Sequence, residues 1–262
     1  MRLVLLVCLV ASSSFGAARY FVNGGVNNNW GTTGNWSLTD GGAGGQTVPS
    51  AADDVHFTAN SPNCTVDSTG RSALSIDFTG YTNTITMSQQ ITVSGSVTLV
   101  SGMTISGAGI LLVNGTGTLT SNGKAWPNAL TIQGTITATL ADNWTVAGLL
   151  TLSSTTTLTV INAHQITCTG GLRYGGTSGS ASGTTVMLLT ASQTVDAPSI
   201  TSGRLLSPVT IAAGAGTVTF TSPIPIDVGQ MMFTSGTVVT GAGTWANATS
   251  VTVNKGGGTY IQ

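Results

Sequence analysis

Residues 85–115 read ITMSQQITVSGSVTLVSGMTISGAGILLVNG, and this stretch decides the fold. Apolar residues alternate with Thr or Ser in short runs, as at residues 85–87, 91–93 and 97–99. A period of two places successive side chains on opposite faces of a strand, so that one face is buried. Similar runs recur at residues 130–132, 149–152, 158–160, 218–220 and 251–253. The pattern predicts many short strands and no helix.

A loose internal repeat links these strands. Its unit is an apolar residue, one small or polar residue and a glycine, as at 93–95, 105–107, 113–115, 132–134 and 146–148. Gly95, Gly115 and Gly134 recur at about 20 residues, a length typical of one coil in a stacked architecture. We therefore expect an all-β, elongated β-solenoid (β-helix). A β-sandwich of short strands has similar turn spacing and is the alternative.

The composition agrees with a strand-rich chain and limits its partners. The 262 residues include 46 Thr, 27 Ser and 36 Gly, but only 7 Lys and Arg, 8 Asp and no Glu. β-Branched Thr suits pleated strands, and Gly suits tight corners. The surface must then be covered by hydroxyls and amides, and the net charge is −1. Without a basic patch to contact phosphates, we expect no nucleic-acid binding.

The first eighteen residues have the pattern of a secretory signal. Arg2 precedes an apolar run at residues 3–11, and three serines and small residues follow. We interpret residues 1–18 as a signal peptide, with an uncleaved first strand as the alternative. The apolar run is too short to span a bilayer, so we expect no membrane span after its removal. The chain is then secreted, on a cell surface or on a virion, and Cys64 and Cys168 are expected to be free, buried thiols.

Residues 19–62 differ from the rest of the chain. They contain Trp30 and Trp36 and a glycine-rich run at 41–45. The open end of a solenoid exposes apolar side chains and unpaired strand edges, which bulky aromatic residues can cover. We therefore interpret residues 19–62 as a Trp/Gly-rich N-terminal cap packed by Trp30 and Trp36, and residues 63–262 as the solenoid repeat region.

A family resemblance follows from the same segment. Its pattern is Gly-Gly at 24–25, Asn-Trp at 29–30, Asn-Trp-Ser at 35–37, the glycine-rich run, Val-Pro at 48–49 and Asp-Asp-Val-His-Phe at 53–57. This pattern resembles an N-terminal module of large, autotransporter-passenger-like bacterial surface proteins and phage structural proteins. Residues 103–107, 117–128 and 142–146 resemble repeats of phage tails or appendages. The resemblance covers roughly residues 19–160; it implies a β-helical structural protein and supplies no catalytic residue.

Residues suited to catalysis are scarce. A polysaccharide-cleaving β-helix needs carboxylates that converge in a groove, but Asp53 and Asp54 are adjacent and point to opposite faces of a strand. Asp67 and Asp77 could meet only on stacked coils. His56 lies on the same strand face as Asp54, and two such side chains fall short of a metal site. We expect no enzymatic activity and no cofactor, except that Asp53 and Asp54 with backbone carbonyls could hold one structural calcium ion.

Two further tryptophans lie beside asparagines at predicted turns. Exposed Trp next to amides can stack on sugar rings. Trp126, Asn128, Asn143 and Trp144 are therefore candidate glycan contacts, although packing of each Trp over a coil corner is the favoured interpretation.

These observations favour a non-enzymatic structural subunit of an extracellular fibre, surface layer or phage appendage. The alternative is a glycan-binding adhesin or host-recognition protein, and a polysaccharide depolymerase is least favoured. The strands predicted at 250–254 and 259–262 carry one charge, Lys255. Unprotected strand edges recruit further strands, so we expect a homo-oligomer or filament through the C-terminal end.

Overall fold

The computed structural model describes residues 16–22, 24–25, 27–134, 136–153, 157–161, 164–174, 180–182, 186–196, 209–221, 231–240, 253–255 and 259–261. In these residues the regular structure is β, apart from one 3-10 turn at Thr33–Asn35. The strands stack in parallel as a β-solenoid of about seven turns, which confirms the predicted fold. Most of the predicted signal, residues 1–15, lies outside the described residues.

Successive coils contribute strands to three faces in turn, except that the coil with Gly117–Thr120 has only an isolated bridge, at Trp126, on the second face. The first face consists, in order, of Ala18–Phe21, Asp54–His56, Ser75–Asp77, Val97–Thr98, Gly117–Thr120, Ile136–Leu140, Thr157–Ile161 and Ser180–Ser182. The second face consists of Cys64–Val66, Thr84–Met87, Thr104–Gly107, Trp144–Val146, Gln165–Cys168 and Val186–Leu189. The third face consists of Arg71–Ala73, Ile91–Val93, Leu111–Val113, Leu130–Gln133, Leu150–Ser153, Leu172–Tyr174 and Gln193–Asp196.

Later strands continue the second and third faces. Val209–Phe220 pairs with Val186–Leu189 through its first part and with Gln193–Asp196 through its last part. Met231–Thr240 stacks on Val209–Phe220 with a register irregularity at Ile211 to Thr217. Val253–Lys255 and Thr259–Ile261 pair with Met231–Thr240. A single strand therefore runs around the corner between two faces in these coils.

The core consists of columns of inward side chains. Parallel strands in register place equivalent residues directly above one another, so apolar positions form continuous stacks. One column on the third face joins six residues that are at most 2% exposed: Ile91, Leu111, Leu130, Leu150, Leu172 and Val195. Burying each such side chain contributes about 1.5–3 kcal/mol. The alternation of apolar residues with Thr thus separates the core from the hydroxylated outer surface.

The glycines of the repeat lie where successive coils approach closely. A Cβ atom on Gly115 would lie 1.7 Å from the carbonyl oxygen of Ser94 in the coil before it. Such a distance cannot be relieved by moving a side chain, because the obstacle is backbone. Gly134 has a φ of +94°, which L-residues rarely adopt. Close backbone approach at the corners therefore explains the glycine repeat.

Residues 19–62 join the solenoid at both ends. Ala18–Phe21 and Asp54–His56 are consecutive strands of the first face, in parallel register. The tryptophan-containing segment between them is an insertion within a coil. Trp36–Ser37 pairs antiparallel with Ala18–Phe21, and Asn29 forms a parallel bridge with Thr65 at the start of the second face.

Candidate functional surfaces

An aromatic cluster lies at the N-terminal end of the described stack. Trp30 and Trp36 are fully buried, and their ring centroids lie 4.8 Å apart at an angle of 66°. Trp36 also packs edge-on against Phe21, at 5.2 Å, and Trp30 lies 6.0 Å from Phe57. The Trp36 indole N–H donates to the backbone carbonyl of Trp30 at 2.6 Å. The geometry is that expected of a cap; its contribution to stability stays a prediction.

Asn35 fixes the loop that carries the two tryptophans. Its side-chain amide N–H donates to the carbonyls of Asn27 and Asn29 at 2.7 and 3.0 Å, and its Oδ1 accepts the Gly25 N–H at 2.9 Å. Because Asn35 is only 1% exposed, these bonds satisfy polar atoms that burial would otherwise penalise. The Asn-Trp pair therefore works as a unit in which the amide orders the loop and the indole fills the core.

One buried and one partly buried carboxylate tie the cap to the first coil. Asp53 accepts hydrogen bonds from the Ser50 N–H and O–H and the Ala17 N–H, and lies 3.9 Å from the Arg19 guanidinium. Burial raises the pKa of Asp53, but these bonds and the Arg19 charge outweigh it, so that the net pKa is lowered. Asp67 accepts the Gly31 N–H and pairs with Arg71 at 3.1 Å, and its pKa is also lowered.

The hypothetical calcium site is occupied by protein donors. The Asp53 oxygens already accept three hydrogen bonds, and Asp54 accepts one from the Ser75 hydroxyl. Asp53 is buried, whereas Asp54 lies on the outer side of its strand, as the sequence predicted for adjacent residues. Within the described ranges, no three His, Cys or Asp side chains are grouped so as to hold a metal ion. Structural calcium stays a hypothesis, and this geometry offers it no support.

His56 lies on the outer side of the first face. Its ring stacks on Tyr20 at a centroid distance of 4.8 Å, and its Nδ1 lies 3.9 Å from Oδ2 of Asp77 in the next coil. All three residues share one outward column, because Tyr20, His56 and Asp77 are register partners. This arrangement joins neighbouring coils.

Hydroxyl side chains cover the second face near the N-terminal end. Two outward columns run along it, Thr65–Thr86–Ser106 and the pair Thr84–Thr104. The Thr86 and Ser106 hydroxyl oxygens lie 3.0 Å apart, within hydrogen-bond distance. These columns are the neutral, hydroxylated surface that the composition predicted.

Trp126 and Trp144, two of the candidate glycan contacts, lie in the core, in agreement with the favoured interpretation that each ring packs inside a coil. Trp126 is 3% exposed and Trp144 is 1% exposed, and both belong to the core cluster. The strand Trp144–Val146 alternates as Trp-Thr-Val, so Trp144 and Val146 point inward and Thr145 points outward. Trp126 forms a bridge with Val146 in the adjacent coil, and its indole donates to the Ala129 carbonyl at 3.1 Å. Neither ring presents a face on which a sugar can stack.

Of the two neighbouring asparagines, one is buried and the other is exposed. Asn128 is buried, at 9% exposure. Asn143 is exposed, and its Oδ1 accepts the Gln165 N–H of the next coil at 2.8 Å. The four predicted residues therefore do not form one outward-facing sugar surface.

The prediction of free, buried cysteines is confirmed. Cys64 and Cys168 are unpaired and at most 1% exposed. Burial raises the pKa of the Cys168 thiol to about 12 and the pKa of Cys64 well above its ordinary value, with the Asp67 charge adding to the effect at Cys64. Both thiols are therefore unreactive packing residues in the folded protein.

A charged notch on the third face was missed by sequence analysis. Arg173 and Asp196 are register partners, with Nη2 and Oδ2 3.3 Å apart. The available signal was their charge, in a chain where charged residues make up only 6%. Their pairing could not be foreseen because it depends on the length of the intervening coil.

Helices long and apolar enough to cross a membrane do not occur in the described part of the chain. Comparison of the chain with models of protein families, with curated proteins and with solved structures gave no match.

Proposed function

We propose that this chain is a non-enzymatic structural subunit of an extracellular fibre, surface layer or phage appendage. The observation that supports the proposal best is the parallel, in-register stacking of strands along the first and third faces, which makes a stiff stack that rises about 4.8 Å per coil. Each coil pairs with the backbone hydrogen-bonding groups of its neighbours. Further coils can therefore lengthen the stack by repeating the same core packing. The outer columns are mostly neutral hydroxyls, which allows neighbouring stacks to approach without charge repulsion.

The two ends of the described stack differ. At the N-terminal end, Trp36–Ser37 covers Ala18–Phe21, and the aromatic cluster fills the cross-section. Among the described residues, Val253–Lys255 and Thr259–Ile261 pair on one side only, with Met231–Thr240. An exposed strand edge recruits another strand. We propose that self-association proceeds by strand addition to Val253–Lys255 and Thr259–Ile261, each of which has one described neighbouring strand.

Light scattering on the chain from residue 19 onward tests this proposal. The unmodified chain should form oligomers or filaments at tens of micromolar, with ordered rods in negative stain. Val253→Lys, in the strand Val253–Lys255, should disperse them by placing like charges on the edge. Thr151→Lys adds the same charge to an outward position on the third face and serves as the control. A monomer for the unmodified chain, or dispersal by the control instead, would refute C-terminal association.

A glycan-binding role is the second candidate. It no longer rests on Trp126 or Trp144, whose rings are buried. What favours it is the notch beside Arg173 and Asp196, which has an apolar wall and several polar groups. The two roles are compatible, since a rod can present a binding site on its side.

A further inference from the structure

The outward column of the third face changes from neutral to charged residues at one point along the stack. Its earlier positions are mainly hydroxyl or apolar: Ser72, Thr92, Leu112, Thr131 and Thr151. The next two register partners are Arg173 and Asp196, whose side chains are 47% and 26% exposed. Fold maintenance does not require charge here, because Thr fills the same position in neighbouring coils. The change marks a local departure from the neutral surface.

The neighbouring column contains Leu149 and Thr194. In the same coil as Arg173 it lacks a side chain, because its residue there is Gly171. Gly171 lies between Leu149 of the coil before it and Thr194 of the coil after it, and has a φ of +126°. A Cβ on Gly171 would lie 3.2 Å from Leu149 Cδ1 and 3.4 Å from the Thr194 carbonyl oxygen. The absent side chain contributes to a notch of about 410 Å³, lined among others by Leu149, Arg173, Ser192, Gln193, Thr194 and Asp196. This volume is at the small end of the roughly 300–1,000 Å³ typical of ligand pockets.

Gln193 gives the notch an unsatisfied polar group. The residue is 8% exposed, and its Nε2 donates to the Cys168 carbonyl at 2.8 Å. Its Oε1 is buried and accepts no hydrogen bond from the residues that the structure describes. A buried acceptor without a donor costs about 1–3 kcal/mol. The lining of the notch therefore includes a polar side chain that is held in place by one hydrogen bond to the Cys168 carbonyl.

The surrounding groups define the chemistry of the ligand. Arg173 and Asp196 neutralise each other, so the notch has no net charge with which to select an anion or a cation. It offers donors from Arg173 and Ser192, an acceptor from Asp196, and an apolar wall from Leu149, which is 37% exposed. A pyranose matches this combination, with hydroxyls at its rim and C–H groups on its face. We propose that the notch binds one neutral hexose unit of a glycan.

The test is a titration of the full chain with methyl glycosides of glucose, galactose, mannose and N-acetylglucosamine, followed by NMR. One or more should bind with a Kd in the millimolar range and shift the side-chain amide resonances of Gln193. Leu149→Ala removes the apolar wall and Asp196→Asn removes the carboxylate charge; each should weaken binding about tenfold. Leu74→Ala is the matched control, because Leu74 is a third-face corner leucine with 36% exposure. Its affinity should equal that of the unmodified chain.

Three results would overturn the proposal. The first is that no glycoside binds at tens of millimolar. The second is that Leu74→Ala weakens binding as much as Leu149→Ala, which would indicate nonspecific contact. The third is a preference for a glucuronide over its neutral counterpart, which would show that Arg173 is available to an anion. Light scattering of the same samples reports self-association separately, so the two proposals fail or hold independently.

Discussion

Removing the aromatic cap should destabilise the N-terminal coils first. Trp30 and Trp36 are both fully buried, and truncating a buried Trp to Ala typically costs about 3–5 kcal/mol. Trp36→Ala also deletes the indole N–H that donates to the Trp30 carbonyl at 2.6 Å and leaves that acceptor without its donor. Since the two rings contact each other, the double variant should cost less than the sum of the single variants.

The loss should be local because the coils of a solenoid contact only their neighbours. We expect amide hydrogen exchange to accelerate in Ala18–Phe21 and Asp54–His56, and to remain unchanged in Leu130–Gln133 and Leu150–Ser153. For a domain of this size, 4 kcal/mol corresponds to a fall in Tm of roughly 8–16 °C. Circular dichroism against temperature measures the global effect, and hydrogen exchange locates it.

Leu38→Ala provides the control, because Leu38 lies beside Trp36–Ser37 but is 50% exposed. It should change Tm by no more than about 2–4 °C. If the Trp30→Ala/Trp36→Ala double variant keeps both its Tm and its exchange pattern, the buried indoles do not stabilise the end of the stack. The interpretation of residues 19–62 as a cap would then be refuted.

Three other expectations concern pH, thiols and secondary structure. The lowered pKa of Asp53 and Asp67 means that their ionised forms stabilise the fold above pH 3.8, and that this stability is lost as pH falls through the folded-state values. The urea midpoint of the unmodified chain should therefore fall at acidic pH, and Asp53→Asn should reduce that dependence; an equal dependence in the variant would contradict the assignment. Cys64 and Cys168 should react with a thiol reagent only after unfolding, and rapid labelling at pH 8 in the native state would contradict their burial. Far-UV circular dichroism should show less than about a fifth helix, since mixed domains begin near a third.

The fold was predictable because its signal is repeated in every coil. The alternation in runs such as Ile91-Thr92-Val93 indicates which side chains point inward. In the structure, Ile91 and Val93 stack on Leu111 and Val113, as the alternation requires. Gly115 marks a corner where backbone approaches backbone, so a glycine there carries information about coil length. Local patterns of this kind can be interpreted from the sequence without knowledge of contacts between residues that are far apart in the chain.

The surface was less predictable because it depends on register between coils. Trp144 was a candidate glycan contact on account of its asparagine neighbour, although packing was the favoured interpretation, and the alternation in Trp144-Thr145-Val146 places it inside with Val146. The local period was therefore the better guide than residue preference. Arg173 and Asp196 are a different case, since their pairing depends on a coil length that varies along the chain. No local pattern could have placed these charges together.

Together, the two proposals assign self-association to one end of the stack and ligand binding to one of its faces. The insertion with Trp30 and Trp36 covers Ala18–Phe21, and the proposed strand addition takes place at the coil that contains Val253–Lys255. The notch beside Arg173 lies on the third face and away from the cap, where association through the terminal edge would leave it open. An assembly built this way would present each notch laterally. Because weak sites gain avidity when a scaffold repeats them at fixed spacing, millimolar affinity for one hexose would suffice for attachment to a glycan-covered surface.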